Sequence, residues 1–519
     1  MTKLICAIIS IRGNRARAGV DSFTLRLRNE SDRHGVTHAS PARFAGLTAA
    51  AVGNSCRVGR RIHSRTADQL GRTFLIAAVW LAGALIVPAD THYVSLSGTN
   101  DSAGGYTNWA GAATQIQWAV DAAGASDIVL VSNGTYYLTN QIVVTNSITL
   151  QSVNGRDYTF INGNYPAYSN RCLLLSNNAA IVDGFTISNG YIIGSGGGIL
   201  TYGSTVQNCH IRNNFSSGSG GGVNMVDLMP VWTTQKLLNC IINSNCGVYA
   251  GGVIQSGYYA LGMISNCVIS CNTATAAGYA GGLHLCGLRM YDSEISYNTG
   301  SIGGVRAGWY GGIFGCKIIG NNGTTCGGIN LDIGYYLNNG GLHNCLIYAN
   351  RTTTGAGGVA IPRTPYVGYQ YLRNLTIVSN STASSTNAGG IYFYGATGQT
   401  TNVLYNSIVY YNTAGGANSN VYNDGMTNII VRNCCIGMTN GAFSPSTDTN
   451  NVIYADPLLL DLPAGNCRLG SKSPCINAGY YESWMATGVD LDNRIRIRYG
   501  TVDLGAYEFI RSGAVYGFH

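Results

Sequence analysis

The feature that most constrains this chain is a short motif that returns about every 28 residues. Its members read VQNCHIRNN (206–214), LLNCIINSN (237–245), ISNCVISCN (264–272), MYDSEISYN (290–298), IFGCKIIGN (313–321), LHNCLIYAN (342–350), LRNLTIVSN (372–380) and LYNSIVYYN (404–412), with weaker members at 181–190 and 431–437. After most of them stands a Gly-Gly pair and an aliphatic residue, from 197–199 through 281–283 to 389–391. Asn214 to Asn412 spans seven steps in 198 residues. One such unit cannot bury its own apolar row, but a stack can. Short alternating segments at this period predict an all-β fold, a right-handed parallel β-helix (solenoid) in which every coil adds a strand to each face. The hand follows from strand twist and the usual crossover preference.

The register defines three rows. Asn214, Asn245, Asn272, Asn298, Asn321, Asn350, Asn380 and Asn412 form a ladder whose amides bond one another across a coil spacing of roughly 4.8 Å; Asn also tolerates a left-handed turn. Ile211, Ile242, Ile269, Ile295, Ile318, Ile347, Ile377 and Val409 form a core row. Cys209, Cys240, Cys267, Cys316, Cys345 and Cys434 share one slot with Phe185, Ser293, Leu375 and Ser407. A slot that accepts Phe, Leu, Ser and Cys is interior, so stacked thiols account for these cysteines better than a disulfide framework does. Cys467 and Cys475 lie outside the array and are candidates for a local disulfide. No pair of closely spaced cysteines with a partner suggests zinc.

Gly (71 of 519 residues) and a charged fraction of only 10% suit many short strands and turns. The net charge of +7 misleads. Residues 1–72 hold thirteen Lys and Arg against four Asp and Glu, a surplus of nine, so the remainder carries −2. The folded part therefore has no nucleic-acid signature. Phe74–Val87 is 14 uncharged residues after Arg72, followed by Pro88 and Ala89. It reads as the apolar part of a signal peptide (73–89) and is short for a membrane span; a signal anchor or a buried strand is the other reading. Cleavage would leave Asp90 first and no span in the mature chain. Residues 1–72 then read as a non-native or disordered extension.

Residues 90–180 read as an N-terminal cap and first coils, with AATQIQWAVDAAG (112–124) as an amphipathic helix over the open end. The array occupies 181–440, and a small C-terminal domain 441–510. HYVSLSGTND, IQWAVDAA and DIVLVSNGTYYL resemble the opening of secreted bacterial β-helix proteins of the pectate-lyase-like class. ADPLLLDLPAGNCRLGSKSPCINAG and DLDNRIRIRYGTVDLGAYEF (within 455–509) resemble the choice-of-anchor Q domain. Together these cover about residues 91–509. The resemblance implies a β-helix on an exported protein that engages polysaccharide or a cell-surface glycan, with Asp490, Asp492, Asp503 and Glu508 as turn and hydrogen-bond residues. The Gly-Gly and Asn repeats are also similar to those of polymorphic outer-membrane proteins, which implies a non-enzymatic adhesion module.

Chemistry is sparse. Between 181 and 436 the only carboxylates are Asp183, Asp227, Asp292, Glu294, Asp332 and Asp424. That is thin for paired-carboxylate hydrolysis or a calcium-dependent lyase. No cofactor is expected, and calcium has no loop motif behind it. One polar cluster stands out. The residue after each Gly-Gly-aliphatic triplet should face outward, giving Asn224, Ile254, His284, Arg306 and Asn330 in successive coils, with Asp332 two residues on. Short returns after Gly282 and Gly304 make a saddle there, with Tyr258, Tyr259, Trp309, Tyr310, Tyr335, Tyr336, Tyr369 and Tyr371 near its rim. As a glycan groove, the aromatics would stack on sugars and Asn224 and Asn330 would bond hydroxyls. Arg306 would meet a carboxylate or sulfate, and His284 or Asp332 would serve as base in a lyase or hydrolase. The plainer alternative is an ordinary solvated face.

Overall fold

The computed structural model describes residues 89–227, 234–257, 261–308, 311–332, 341–395, 399–438, 448–498 and 500–511. The segment 1–88, with the signal-like stretch Phe74–Val87, lies outside them. No helix of the described residues is long and apolar enough to cross a membrane.

The chain winds into a parallel β-helix with three long sheets. Each full coil supplies two short strands to a bent sheet, a two- to five-residue strand to a short sheet, and a strand to a third sheet that begins just after the Gly-Gly pair. In one coil these are Thr205–Gln207, His210–Arg212, Phe215–Ser216 and Val223–Val226. The bend inside the repeat motif is finer than the sequence pattern suggests. Asn208, Asn239, Asn266, Asp292, Gly315, Asn344, Asn374, Asn406 and Asn433 take left-handed φ between 48° and 64°. This kink turns the next residue, the Cys slot, into the core.

The predicted rows hold their places. Successive coils pair Ile211 with Ile242, Ile242 with Ile269 and so on, and every member of that row is fully buried. Burying each such side chain stabilises the stack by about 1.5–3 kcal/mol. The Cys slot is buried from Phe185 to Cys434. The ladder is equally regular. Asn298 N–H and Nδ2 both donate to Asn321 Oδ1 at 3.0 Å, and Nδ2 also donates to Ile269 O at 2.9 Å. The left-handed turn expected of these asparagines belongs instead to the residue before each: Asn213, Ser244, Cys271, Tyr297, Gly320, Ala349, Ser379 and Tyr411. A ladder amide must point inward to reach its neighbours, so the preceding residue makes the corner.

The Gly-Gly pairs follow from close coil approach. A Cβ on Gly282 would lie 2.7 Å from Gly304 O and 2.9 Å from Asn298 Nδ2. Any side chain there would push the coils or the ladder apart.

The N-terminal helix is shorter than its periodic stretch, running Ile116–Ala122 and burying Ile116, Ala119 and Val120. At the other end the bent sheet continues to Asp448–Ile453, which pairs with Ile429–Ile436. Residues beyond it pack against the outside of the bent sheet. Leu346, Val378, Ile408 and Cys435 of the coils share a second core with Cys467, Leu469, Cys475, Leu504 and Tyr507. Kink asparagines dock this module: Asn406 Oδ1 accepts Tyr480 N–H at 2.7 Å while Nδ2 donates to Tyr480 O at 2.8 Å. Asp490 and Asp503 accept backbone N–H groups, as expected of them. Asp492 accepts from and pairs with Arg468, and Glu508 accepts Asp503 N–H at 3.1 Å while pairing with the fully buried Arg496 at 3.0 Å. The local disulfide expected of Cys467 and Cys475 is not formed: the described cysteines are all free thiols, and these two share one buried core with Cys435. Alternation along Ile429–Ile436 sends Cys434 to the inner core and Cys435 outward.

Candidate functional site

The register of the Gly-Gly sheet sets the outward row. Asn224 pairs with Ile254, Ile254 with His284, His284 with Arg306, and Arg306 with Asn330. Two residues on, Gly308 pairs with Asp332. The strands Leu283–Leu285, Val305–Gly308 and Ile329–Asp332 therefore bring His284, Arg306, Asn330 and Asp332 together across three coils. Asn224 is in the same row two coils away, but it is 5% exposed and its Oδ1 has no partner among the described residues.

Arg306 is the centre of the cluster. Its side chain is about one-third exposed, and Nη2 lies 3.7 Å from Asp332 Oδ2, a loose ion pair. Nη1 donates to Gly278 O at 3.1 Å, and the guanidinium carbon lies 6.0 Å from the Tyr279 ring centre. Tyr279 also approaches His284 at 5.7 Å and Tyr249 at 4.9 Å, centre to centre. His284 Nε2 lies 3.7 Å from Cys286 Sγ, with the donor set by the imidazole tautomer. Its Nδ1 is buried without a partner among the described residues. Burial, then the nearby Arg306 charge, pulls the His284 pKa down to about 4. The imidazole is thus neutral at pH 7 and a weak proton acceptor. Burial raises the Cys286 thiol above its usual range, so it is no ready nucleophile.

The short return after Leu285 is held from below. Gln255, fully buried one coil earlier, accepts the N–H groups of Cys286 at 2.9 Å and Gly287 at 2.6 Å through Oε1. The missing side chain at Gly308 leaves a notch between Cys286 and Asp332, with Asp332 O the nearest atom at 3.5 Å from an added Cβ.

Of the expected aromatics, Tyr258, Tyr259, Trp309, Tyr310, Tyr335 and Tyr336 lie outside the described residues. Tyr369 and Tyr371 are not on this rim. They sit in Gly368–Arg373 of the bent sheet, where the Arg373 guanidinium covers the Tyr371 ring at 3.8 Å. The two rings at the cluster itself, Tyr249 and Tyr279, were missed. Their signal was in the sequence: each opens a Tyr-Ala-Gly-Gly run, at 249–252 and 279–282, so both stand at one register position.

No group of three His, Cys, Asp or Glu among the described residues is placed to hold a metal ion. Two open clefts of about 580 and 470 Å³ run along the kink asparagines, away from this cluster. The first contains Arg156, Asn208 and Asn239; the second contains Asn266, Asp292 and Lys317.

Fold and cluster together define a parallel β-helix with a part-exposed, aromatic-flanked arginine on its Gly-Gly sheet. No family model matches the chain, and no curated protein matches it. Among solved structures, the crystal structure of pectate lyase Pel9A is similar, with a TM-score of 0.42 at 15% identity over 81% of this chain and 97% of that one. The PL6 family polysaccharide lyase Pedsa3628 from Pseudopedobacter saltans gives a TM-score of 0.33 at 11% identity over 76% of this chain and 97% of that one. Likeness at this level assigns no residue a role.

Proposed function

We propose that this is an exported surface protein whose Gly-Gly sheet binds an acidic polysaccharide at Arg306. The observation that carries the reading is Arg306 itself. Its guanidinium is part-exposed, held only loosely by Asp332, and flanked by the Tyr279 ring. A carboxylate or sulfate on a sugar would gain charge-assisted hydrogen bonds there. Asn330 would bond hydroxyls, and Tyr249 and Tyr279 would cover apolar sugar faces. Export rests on the signal-like Phe74–Val87, and surface attachment on the choice-of-anchor Q resemblance of 455–509.

Cleavage is the second reading. It needs a base near Arg306, and His284 with a pKa of about 4 is a poor one. Binding without product release is therefore the stronger expectation, as in an adhesion module.

The test is an array of acidic and neutral glycans, then calorimetry on the best ligand with wild type and Arg306→Ala. Losing a charge-assisted contact of about 1.5–3 kcal/mol weakens binding roughly ten- to hundredfold. Binding to neutral glycans only, or Arg306→Ala binding as well as wild type, overturns the reading. Release of unsaturated or reducing ends that stops in His284→Gln would favour the enzyme instead.

A further inference from the structure

We propose that Cys435 and Cys475 form a cross-linking site, joined as a disulfide that staples the C-terminal module to the β-helix. The geometry separates this pair from the other cysteines. Members of the Cys slot stack on neighbouring coils with parallel side chains, an orientation ill suited to a disulfide. Cys435 instead leaves the outer face of the bent sheet, and Cys475 comes from the module that covers that face. Both are fully buried in one core. The backbone fixes their approach. Cys475 O accepts Leu504 N–H at 3.0 Å, and the next residue, Gly505, donates its N–H to Asn406 O at 2.8 Å. Two residues past Asn406 is Ile408, the coil partner of Cys435. Cys435 Sγ donates to Ala455 O at 3.3 Å, on the module side of the sheet, and the neighbouring Cys475 together with burial pushes the Cys435 thiol well above its usual range. Cys467 shares the core but belongs to the module itself, so of these three cysteines Cys435 alone comes from the coils.

The oxidant is a small or protein disulfide of an oxidising compartment. One cysteine thiolate attacks it, forming a mixed disulfide and releasing one thiol. The second cysteine then displaces the other thiol. One disulfide breaks and one forms, and the oxidant takes up two electrons and both protons. Burial of both sulfurs places the step before the module finishes docking.

The experiment refolds the full chain with glutathione disulfide or with reductant and verifies β-sheet content by circular dichroism. Free thiols are then alkylated and unreduced peptides mapped by mass spectrometry, with Cys434→Ser resolving the neighbouring residue. The expected result is a Cys435–Cys475 link, two hydrogens lighter, in the oxidised protein. The link persists in Cys467→Ser and is absent after reduction. Protease releases the module at least tenfold more slowly from the oxidised wild type than from the reduced. Alkylation of both residues in folded, oxidised protein overturns the proposal. So does a link from Cys475 to Cys467 or Cys434, or equal release rates from the linked and reduced forms.

Discussion

Replacing Asn298 with Ala tests whether the ladder holds the coils together or merely decorates them. Asn298 is fully buried in mid-array. Its Oδ1 accepts Asn272 N–H at 2.9 Å and Asn272 Nδ2 at 3.0 Å, and its Nδ2 donates to Ile269 O at 2.9 Å. Truncation strands the Asn272 N–H and removes that donor from the Ile269 carbonyl, both where solvent does not reach. The Ile269 carbonyl keeps its ladder partner in the next strand, so one buried orphan remains, at a cost of about 1–3 kcal/mol. Asn272 Nδ2 keeps its second bond, to Ile242 O at 2.9 Å, and adds little. A solenoid opens locally, so hydrogen exchange by mass spectrometry is the assay, read on peptides spanning 264–272 and 290–298. Opening should become at least about fivefold more favourable there and fade over neighbouring coils. The control is Asn154→Ala, whose exposed amide bonds Asn133 at the surface, with a change within about 0.5 kcal/mol. If Asn298→Ala changes exchange no more than this control, the ladder does not hold the stack and the account is wrong.

Acid should loosen the fold through two histidines. Burial brings His284 down to about 4 and His343 to about 3, so below pH 6.5 the unfolded chain takes up protons that the folded chain refuses. Stability is therefore present above pH 6.5 and falls as pH drops toward 4, by up to about 1.4 kcal/mol per pH unit for each histidine. Denaturation midpoints should show this, and His284→Gln or His343→Gln should each flatten the slope. Over pH 5.5–8 glycan affinity should stay level, since His284 remains neutral; a steep rise toward pH 6 would show it charging and joining the contact. Arg496→Met should leave Glu508 buried and unpaired, destabilise the C-terminal module by about 3–5 kcal/mol, and expose it to protease while the coils stay intact. Tyr279→Ala should weaken glycan binding about two- to tenfold without changing the midpoint of unfolding; an unchanged affinity in calorimetry would remove that ring from the site.

The coil architecture was legible because it repeats. A row that must be aliphatic at Ile211, Ile242 and Ile269 is visible in sequence once the period is known, and the outward row through His284, Arg306 and Asn330 follows from the same count. The kink is less legible: Asn, Asp or Gly stands at every such position, but these residues also suit ordinary turns, and only the backbone shows that each bends a strand in mid-motif. The site was legible only as a set of neighbours. Its chemistry depends on burial, which lowers His284, and the period of the repeat does not report how deeply each outward residue is buried. Tyr279 shows the difference. Its register position was countable from Tyr-Ala-Gly-Gly, but its meeting with Arg306 required the turn before the Gly-Gly pair to fold back over the sheet.

The kink asparagines carry this distinction furthest. Each adopts the same left-handed corner, so the backbone requirement is common to all of them. Their side chains then divide by neighbourhood. Asn344, Asn406 and Asn433 bond the backbone of the C-terminal module at Val489, Tyr480 and Ala478. Asn208 and Asn239 line an open cleft away from the module, and Asn266 lines a second one that Asn344 and the module residues Val489 and Leu491 also border. One residue type at one register position thus serves a turn everywhere and a docking clamp only where a second segment arrives. Sequence periodicity reports the first role because it is local. The second is set by a segment 45 to 145 residues away in the chain, and no repeat count reaches that far.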